Sequence, residues 1–238
     1  DNILLLFTDN QDYDQSHITN IKNSLTGLGH SFVDNGNSLD GQTLSNFDQV
    51  WDCRFDYALT TAETNSYTNY ISQGGRLLLN GEKITSSYKN FQARDETIIS
   101  FVNSIGGGVL QQETQENETF YEYFTSQGQL VNSANMSSVK MVNPGLLSVQ
   151  SGQGFLVTEK VSGKGGIVAW DFGGLSYTNS RMIVIFENAF NNGGGNTPGL
   201  VENFATFLGE TSPVPEPETS IMFLLCLCAI TTLNFKKQ

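Results

Sequence analysis

The chain opens on a continuous apolar run, ILLLFT at residues 3–8, that stops at the polar cluster DNQD of residues 9–12. A run without alternation predicts a strand buried on both faces, the kind found inside parallel sheets. Ile18, Ile21, Leu25 and Leu28 follow at spacings of three and four, one stripe of a helix that Asp14 or Ser16 can cap at its start and Gly29 at its end. The alternation then repeats. Residues 31–34 predict a second strand, 43–47 a short helix, and QVWDC (49–53) a third strand. Residues 60–72 predict a helix with Tyr67, Tyr70 and Ile71 inward, and RLLLN (76–80) a fourth strand entered through Gly74-Gly75. Residues 90–105 supply a further amphipathic helix through Ile98, Ile99, Phe101, Val102 and Ile105. Strands and helices alternating at these lengths predict an α/β fold, a parallel sheet flanked by helices on both faces.

After Gly106-Gly107-Gly108 the runs shorten to TFYEYF, VKMV, LLSV and GFLVTEK, separated by Gly, Ser and Asn. These predict an antiparallel β excursion, beginning after residue 108, near the sheet edge. IVAWDF (167–172) reads as another buried strand, residues 182–190 as an apolar helix and residues 200–208 as a closing helix. This order, with the segments GGRLLLNGE (74–82) and GKGGIVAWDFGG (163–174), resembles the class I glutamine-amidotransferase-like fold, a flavodoxin-like layout, and within it the ThuA-like branches. The resemblance spans residues 2–208 and implies one α/β domain over residues 1–210.

The last stretch changes character. Residues 211–219 form a linker in which Pro213, Pro215 and Pro217 alternate with other residues, which keeps it extended and out of helix or sheet. Residues 220–235 predict a hydrophobic, transmembrane-type helix through Ile221, Met222, Phe223, Leu224, Leu225, Leu227, Ile230 and Leu233, and Lys236 and Lys237 close the chain within its basic end, 236–238. The uncharged residues 221–235 would span ~22 Å as a helix, against a hydrocarbon core of ~30 Å, which predicts a marginal or temporary anchor. The lysines place that end in the cytoplasm and the body across the membrane. Val214, Pro215, Glu216 and Pro217, then an apolar segment, then basic residues, resemble the PEP-CTERM sorting signal of bacterial envelope proteins, although the closing pair is Lys-Lys where that signal is usually Arg-rich. The resemblance implies an exosortase-type processing enzyme as partner and an association with extracellular polysaccharide. The expected location is the cell envelope or the extracellular matrix, reached from the inner membrane. The chain starts at Asp1, which removal of a signal peptide would explain, as would truncation.

Charge narrows the partners. The chain carries 24 acidic and 12 basic side chains, a net −12, and the tail contributes two of each sign, so the body alone has the same −12. Such a body repels phosphate backbones and argues against nucleic acid as a partner. Cys53 is the one cysteine of the body, so neither a disulfide framework nor a Cys-based zinc site can be built there. No cofactor is expected, because the glycine runs at 106–108 and 193–195 lack the residues of a phosphate loop.

In an open parallel sheet, ligands bind beyond the carboxyl ends of the strands. That rim is expected to carry Asp9, Asn10 and Asp12, then Cys53, Arg54 and Asp56, then Asn80 and Glu82, and finally Asp171. Amidotransferases place a nucleophilic Cys on the turn after the strand matching RLLLN, and Asn80-Gly81-Glu82 stands there instead, so the covalent mechanism is missing. Cys53, with His17 or His30 as base, is the remaining thiol candidate, although a lone Cys in a strand is more often a small core residue. Asp9, Asp12 and Asp14 share one loop but fit no EF-hand pattern and read as a solvated cap of the first helix, so no metal site is expected. Tyr121 and Tyr123 fall on one face of TFYEYF and Phe120, Glu122 and Phe124 on the other, and the tyrosine face could stack on sugar rings. Three functions follow. The first is an exported, non-catalytic binding or matrix domain. The alternative is a polysaccharide-related hydrolase that uses Asp9, Glu82 and Asp171 as acid-base groups or metal ligands at the rim. The third is a purely structural protein with no ligand.

Overall fold

The computed structural model describes residues 1–8, 15–82, 89–113, 119–142, 144–161, 163–187 and 196–211, the side chains of 15, 16, 89 and 90 excepted. Asp9, Asn10, Asp12, Asp14, the glycines at 193–195 and every tail expectation, including Val214, Pro215, Glu216, Pro217, Lys236 and Lys237, lie outside the described residues. Among those described, no helix is long and apolar enough to cross a membrane.

The first half follows the hydrophobic pattern. Strand β1 (Asn2–Leu6), helix α1 (Gln15–Gly27), β2 (Ser31–Asp34), a 3-10 turn at Leu44–Asn46, β3 (Gln49–Asp52), α2 (Thr61–Ser72), β4 (Arg76–Gly81) and α3 (Lys89–Ser104) come in that order. Ile3 and Leu5 face one core layer and Leu4 the other, all fully buried, which is why the run does not alternate. Helix α2 starts on a capping box: Thr60 Oγ1 accepts from the Glu63 N–H, and the Glu63 carboxylate accepts from the Thr60 N–H. Leu28, expected on the inner stripe of α1, falls beyond the helix end and is exposed.

The antiparallel excursion comprises β5 (Leu110–Glu113), β6 (Thr119–Phe124), a 3-10 turn at Gly128–Val131, β7 (Val139–Val142), β8 (Leu146–Val149), β9 (Phe155–Leu156) and β10 (Thr158–Glu159). Strands β11 (Ile167–Trp170) and β12 (Arg181–Phe186) and helix α4 (Thr197–Gly209) complete the body. The central sheet runs β2-β1-β3-β4-β12-β11-β9, its first five strands parallel. With β12 as fifth strand this is the flavodoxin-like order 2-1-3-4-5. Beside it stand a three-stranded sheet, β10-β6-β7, and the pair β5-β8. Side chains of α1 and α4 join the core layer on one face of the central sheet, and those of α2 and α3 the layer on the other.

Two readings are corrected. The helix expected over 182–190 is replaced, through residue 186, by β12, which pairs with β4 over six residues from Arg181 to Phe186. RMIVIF is buried along its whole length between two helix layers, so its apolar run lacks the period that separates strand from helix. The strand read in IVAWDF is present but antiparallel to β12. The connection over residues 171–180 holds no helix and is shorter than the dozen or more residues a parallel crossover needs.

Ile183 sits fully buried at the middle of β12. Ile183→Ala is expected to cost about 2–5 kcal/mol in urea unfolding; a cost near zero would mean that this strand does not lie between the two cores.

Candidate functional site

The carboxyl end of β3 carries a fully buried carboxylate, Asp52. Arg54 grips it with two bonds, Nε to Oδ1 at 2.8 Å and Nη2 to Oδ2 at 2.7 Å, while Arg94 Nη2 lies 3.1 Å from Oδ1 and the Tyr67 hydroxyl donates to Oδ2 at 2.9 Å. Arg54 Nη1 also meets Glu63 at 2.7 Å. Arg94 donates to the carbonyls of Asn80 and Tyr57. Burial alone would push the Asp52 carboxyl up, but the guanidiniums of Arg94 and Arg54 overcome this and hold it well below the usual carboxylate range. Two cations and two carboxylates balance, so this cluster has no surplus positive charge to offer an anionic ligand.

Cys53, next along the chain, is buried, and burial followed by the neighbouring Asp52 charge pushes its thiol far up. A thiol held neutral is a poor nucleophile. His30 lies at the other end of the sheet, against the amine of Asp1. At the tip of β1, the Thr8 hydroxyl donates to Asp56 at 2.8 Å, which ties the ends of β1 and β3 together.

The turn after β4, where the amidotransferase-like resemblance expects a nucleophile, is roofed over. Gly81 is buried, and a Cβ there would stand 2.5 Å from Asp95 Oδ1 and 2.7 Å from the Phe186 ring. The Glu82 N–H donates to Asp95 Oδ1 at 2.9 Å, and Gln112 Nε2 bridges Asp95 Oδ2 and the Glu82 carbonyl at 2.7 and 2.8 Å. Gly145 presses onto the same place: its N–H donates to the Phe186 carbonyl, and a Cβ on it would meet Gln112 Nε2 at 2.5 Å and the Glu82 carbonyl at 2.8 Å. Burial raises the Asp95 carboxyl to about 7. Among the described residues, no group of three His, Cys, Asp or Glu side chains is disposed to hold a metal ion.

Of the three acid-base candidates, Glu82 lies at this rim, Asp9 lies outside the described residues, and Asp171 is at the opposite end of the sheet. The antiparallel run of β11 carries Asp171 to the amino end of the parallel strands, where its Oδ1 accepts from Arg181 Nε at 2.7 Å and from the Phe172 N–H at 2.7 Å. Glu82 and Asp171 therefore do not converge. Arg94 and Asp95 are rim residues absent from the sequence-based expectation, yet the signal is present: Arg94 precedes Ile98 and Phe101 by four and seven residues, Asp95 precedes Ile98 and Val102 by three and seven, and both share the inner stripe of α3.

The three-stranded sheet gives the tyrosines the placement that alternation predicts. Tyr121 and Tyr123 are 55% and 61% exposed, opposite Lys140 and Glu159 on neighbouring strands. Glu122 points inward, fully buried, accepting from the Thr158 hydroxyl at 2.6 Å and the Gly166 N–H at 3.0 Å, and burial raises its carboxyl to about 7.

The sequence matches no protein-family model and no curated protein. Solved structures match in shape. The mmIFT52 N-terminal domain superposes with a TM-score of 0.58 at 12% identity, over 88% of this chain and 99% of that one. A ThuA-like protein from Bacteroides uniformis follows at 0.55 and 14% identity, over 87% and 90%. The body has a ThuA-like fold. The same fold also lies within the exo-β-1,4-mannosidase Op5Man5 from Opitutaceae bacterium strain TAV5, at 0.50 and 8% identity, over 89% of this chain and 36% of the mannosidase. At these identities the likeness is one of fold, so the chemistry of the ThuA-like body is argued from its own residues.

Two outcomes are expected. Asp52→Asn leaves two buried guanidiniums short of a counter-charge and should cost about 3–5 kcal/mol, with unfolding in urea as the readout; a loss under 1 kcal/mol would show that water reaches the cluster. Asp95 and Glu122 bind protons more tightly folded than unfolded, where carboxyls titrate at about 4. Their contribution to stability is complete below about pH 4 and is lost as pH rises through about 7. Asp52 works in the opposite sense, adding stability above its unfolded value and losing it only in strong acid. The melting temperature should therefore be higher at pH 5 than at pH 8, and Asp95→Asn with Glu122→Gln should flatten that slope. A wild-type melting temperature that rises toward pH 8 would contradict it.

Proposed function

We propose that this chain is an exported binding domain of the cell envelope, an amidotransferase-like body turned from catalysis to the holding of polysaccharide and delivered by a PEP-CTERM-type tail. The observation that carries the loss of catalysis is the closed turn after β4. A superfamily nucleophile would have to stand where Gly81 has no room for a Cβ and where Gly145 and Gln112 cover the strand end. The hydrolase reading loses its third carboxyl to the far end of the sheet, and both oxygens of Asp95 are already taken by N–H donors.

The exposed pair Tyr121 and Tyr123 supports polysaccharide as the partner. Two rings at alternate positions of one strand stand ~7 Å apart, and both are exposed. Lys140 and Glu159 flank them with a donor and an acceptor for hydroxyl groups. A β-mannan is the polymer to try first, because a domain of this fold occupies about a third of a protein named for cleaving β-1,4-mannosides. The order Val214-Pro215-Glu216-Pro217, apolar run, Lys236-Lys237 supports the address.

One experiment tests both halves on protein recovered from the envelope and medium of its native host. The intact mass should show a species ending within residues 215–218, with or without an added group; full-length protein in the membrane alone would overturn processing. The same preparation should be retained on insoluble β-mannan, and Tyr121→Ala with Tyr123→Ala should weaken retention at least tenfold. Equal retention of wild type and variant would overturn the tyrosine face as the binding surface.

A further inference from the structure

The end of the sheet opposite the closed rim is open. A cavity of about 430 Å³ lies there, lined by Gln127, Leu130, Gln153, Asp171, Phe172 and Gly173 among others. Its size falls in the range of small-ligand sites, which run from ~300 to ~1,000 Å³. Three separate segments converge on it: the turn after β6, the loop before β9, and the connection between β11 and β12.

The chemistry of the wall narrows the ligand. Asp171 is held by one oxygen: Oδ1 takes the Phe172 N–H and Arg181 Nε at 2.7 Å each, with Arg181 Nη2 also at 2.7 Å, and among the described residues nothing donates to Oδ2. That leaves an oriented acceptor beside a guanidinium that Asp171 shares with Glu210, whose Oε2 lies 2.6 Å from Arg181 Nη1, so the wall has no surplus positive charge with which to hold an anion. Arg181 also lies over the Phe172 ring, 4.1 Å from its centroid, and fixes that ring beside the carboxylate. The carboxamides of Gln127 and Gln153 each offer both a donor and an acceptor. Leu130, 61% exposed, adds an apolar edge. Paired donors and acceptors, one fixed carboxylate oxygen and apolar surface match a ring that carries hydroxyls on its rim and C–H bonds on its faces.

We propose that this cavity binds a short neutral saccharide, the end or a single unit of a chain whose length lies across the tyrosine face. The proposal rests on the polysaccharide reading above and adds a second, concave subsite to it, built from residues at the amino end of the parallel strands.

Saturation-transfer NMR on the full chain, with β-1,4-mannotriose, cellotriose and chitotriose as probes, tests it. Transfer to at least one triose is expected. Gln153→Ala, which removes an exposed amide, and Leu130→Trp, which fills the mouth, should each weaken binding at least tenfold without changing the melting temperature, whereas Tyr121→Ala with Tyr123→Ala should leave triose binding in place. Absence of transfer from all three probes, or undiminished binding by both cavity variants, would overturn the cavity as a saccharide site. Loss only in the tyrosine variant would overturn it as well while leaving the surface reading standing, and a wild-type chain that binds a triose but is not retained on the polymer would do the reverse.

Discussion

A single buried carboxylate, Asp52, dictates how the upper half of this molecule is assembled. A charge at the carboxyl end of a central strand cannot remain without partners in a medium that solvates it poorly. The chain brings Arg54 from the following loop, Arg94 from α3 and the Tyr67 hydroxyl from α2 to the same two oxygens. Each partner is tethered elsewhere, Arg54 to Glu63 inside the capping box of α2 and Arg94 to the carbonyl of Asn80 on β4. Satisfying one charge therefore fixes the seating of two helices on two strands, β3 and β4. The apolar contacts of α2 and α3 supply most of the favourable burial, but they would tolerate sliding that the directional bonds do not.

With that end locked, the fold divides its labour between the two ends of the sheet. Open parallel sheets ordinarily hold their ligands at the carboxyl end. Here, among the described residues, the end of β4 is filled by internal hydrogen bonds and by the corner between β7 and β8, where Gly145 packs against Gln112 and the Glu82 carbonyl. The excursion that covers this rim also builds the surfaces that remain open, the tyrosine face of β6 and the cavity beside Phe172. One excursion thus covers the end of β4 and forms both open surfaces.

The sequence disclosed the first half because strands such as Ile3–Leu6 touch both cores and leave an unbroken apolar run, while α1 to α3 show helical stripes. It concealed β12 for the same reason: RMIVIF is apolar throughout, and no period distinguishes it from a buried helix. It also concealed the direction of β11, which depends on the length of a connection and not on composition. That direction decides the fate of Asp171, read as a rim residue and found at the other end. Arg94 and Asp95 resemble a solvated stretch until their spacing to Ile98, Phe101 and Val102 is counted. The alternation in TFYEYF was legible because a two-residue period with one wet face leaves a clean record.

The placement of β12 between β4 and β11 has a consequence for how the chain comes into being. β4 ends at Gly81, and its neighbour in the sheet begins at Arg181, about a hundred residues later. At synthesis rates of ~5–20 residues per second, the apolar edge of β4 waits on the order of 5–20 s for its partner. Loop closure over that span is slow, and unpaired strand edges invite association with other chains. The body is therefore a late-closing fold, whose sheet is completed only when almost the whole domain has been made.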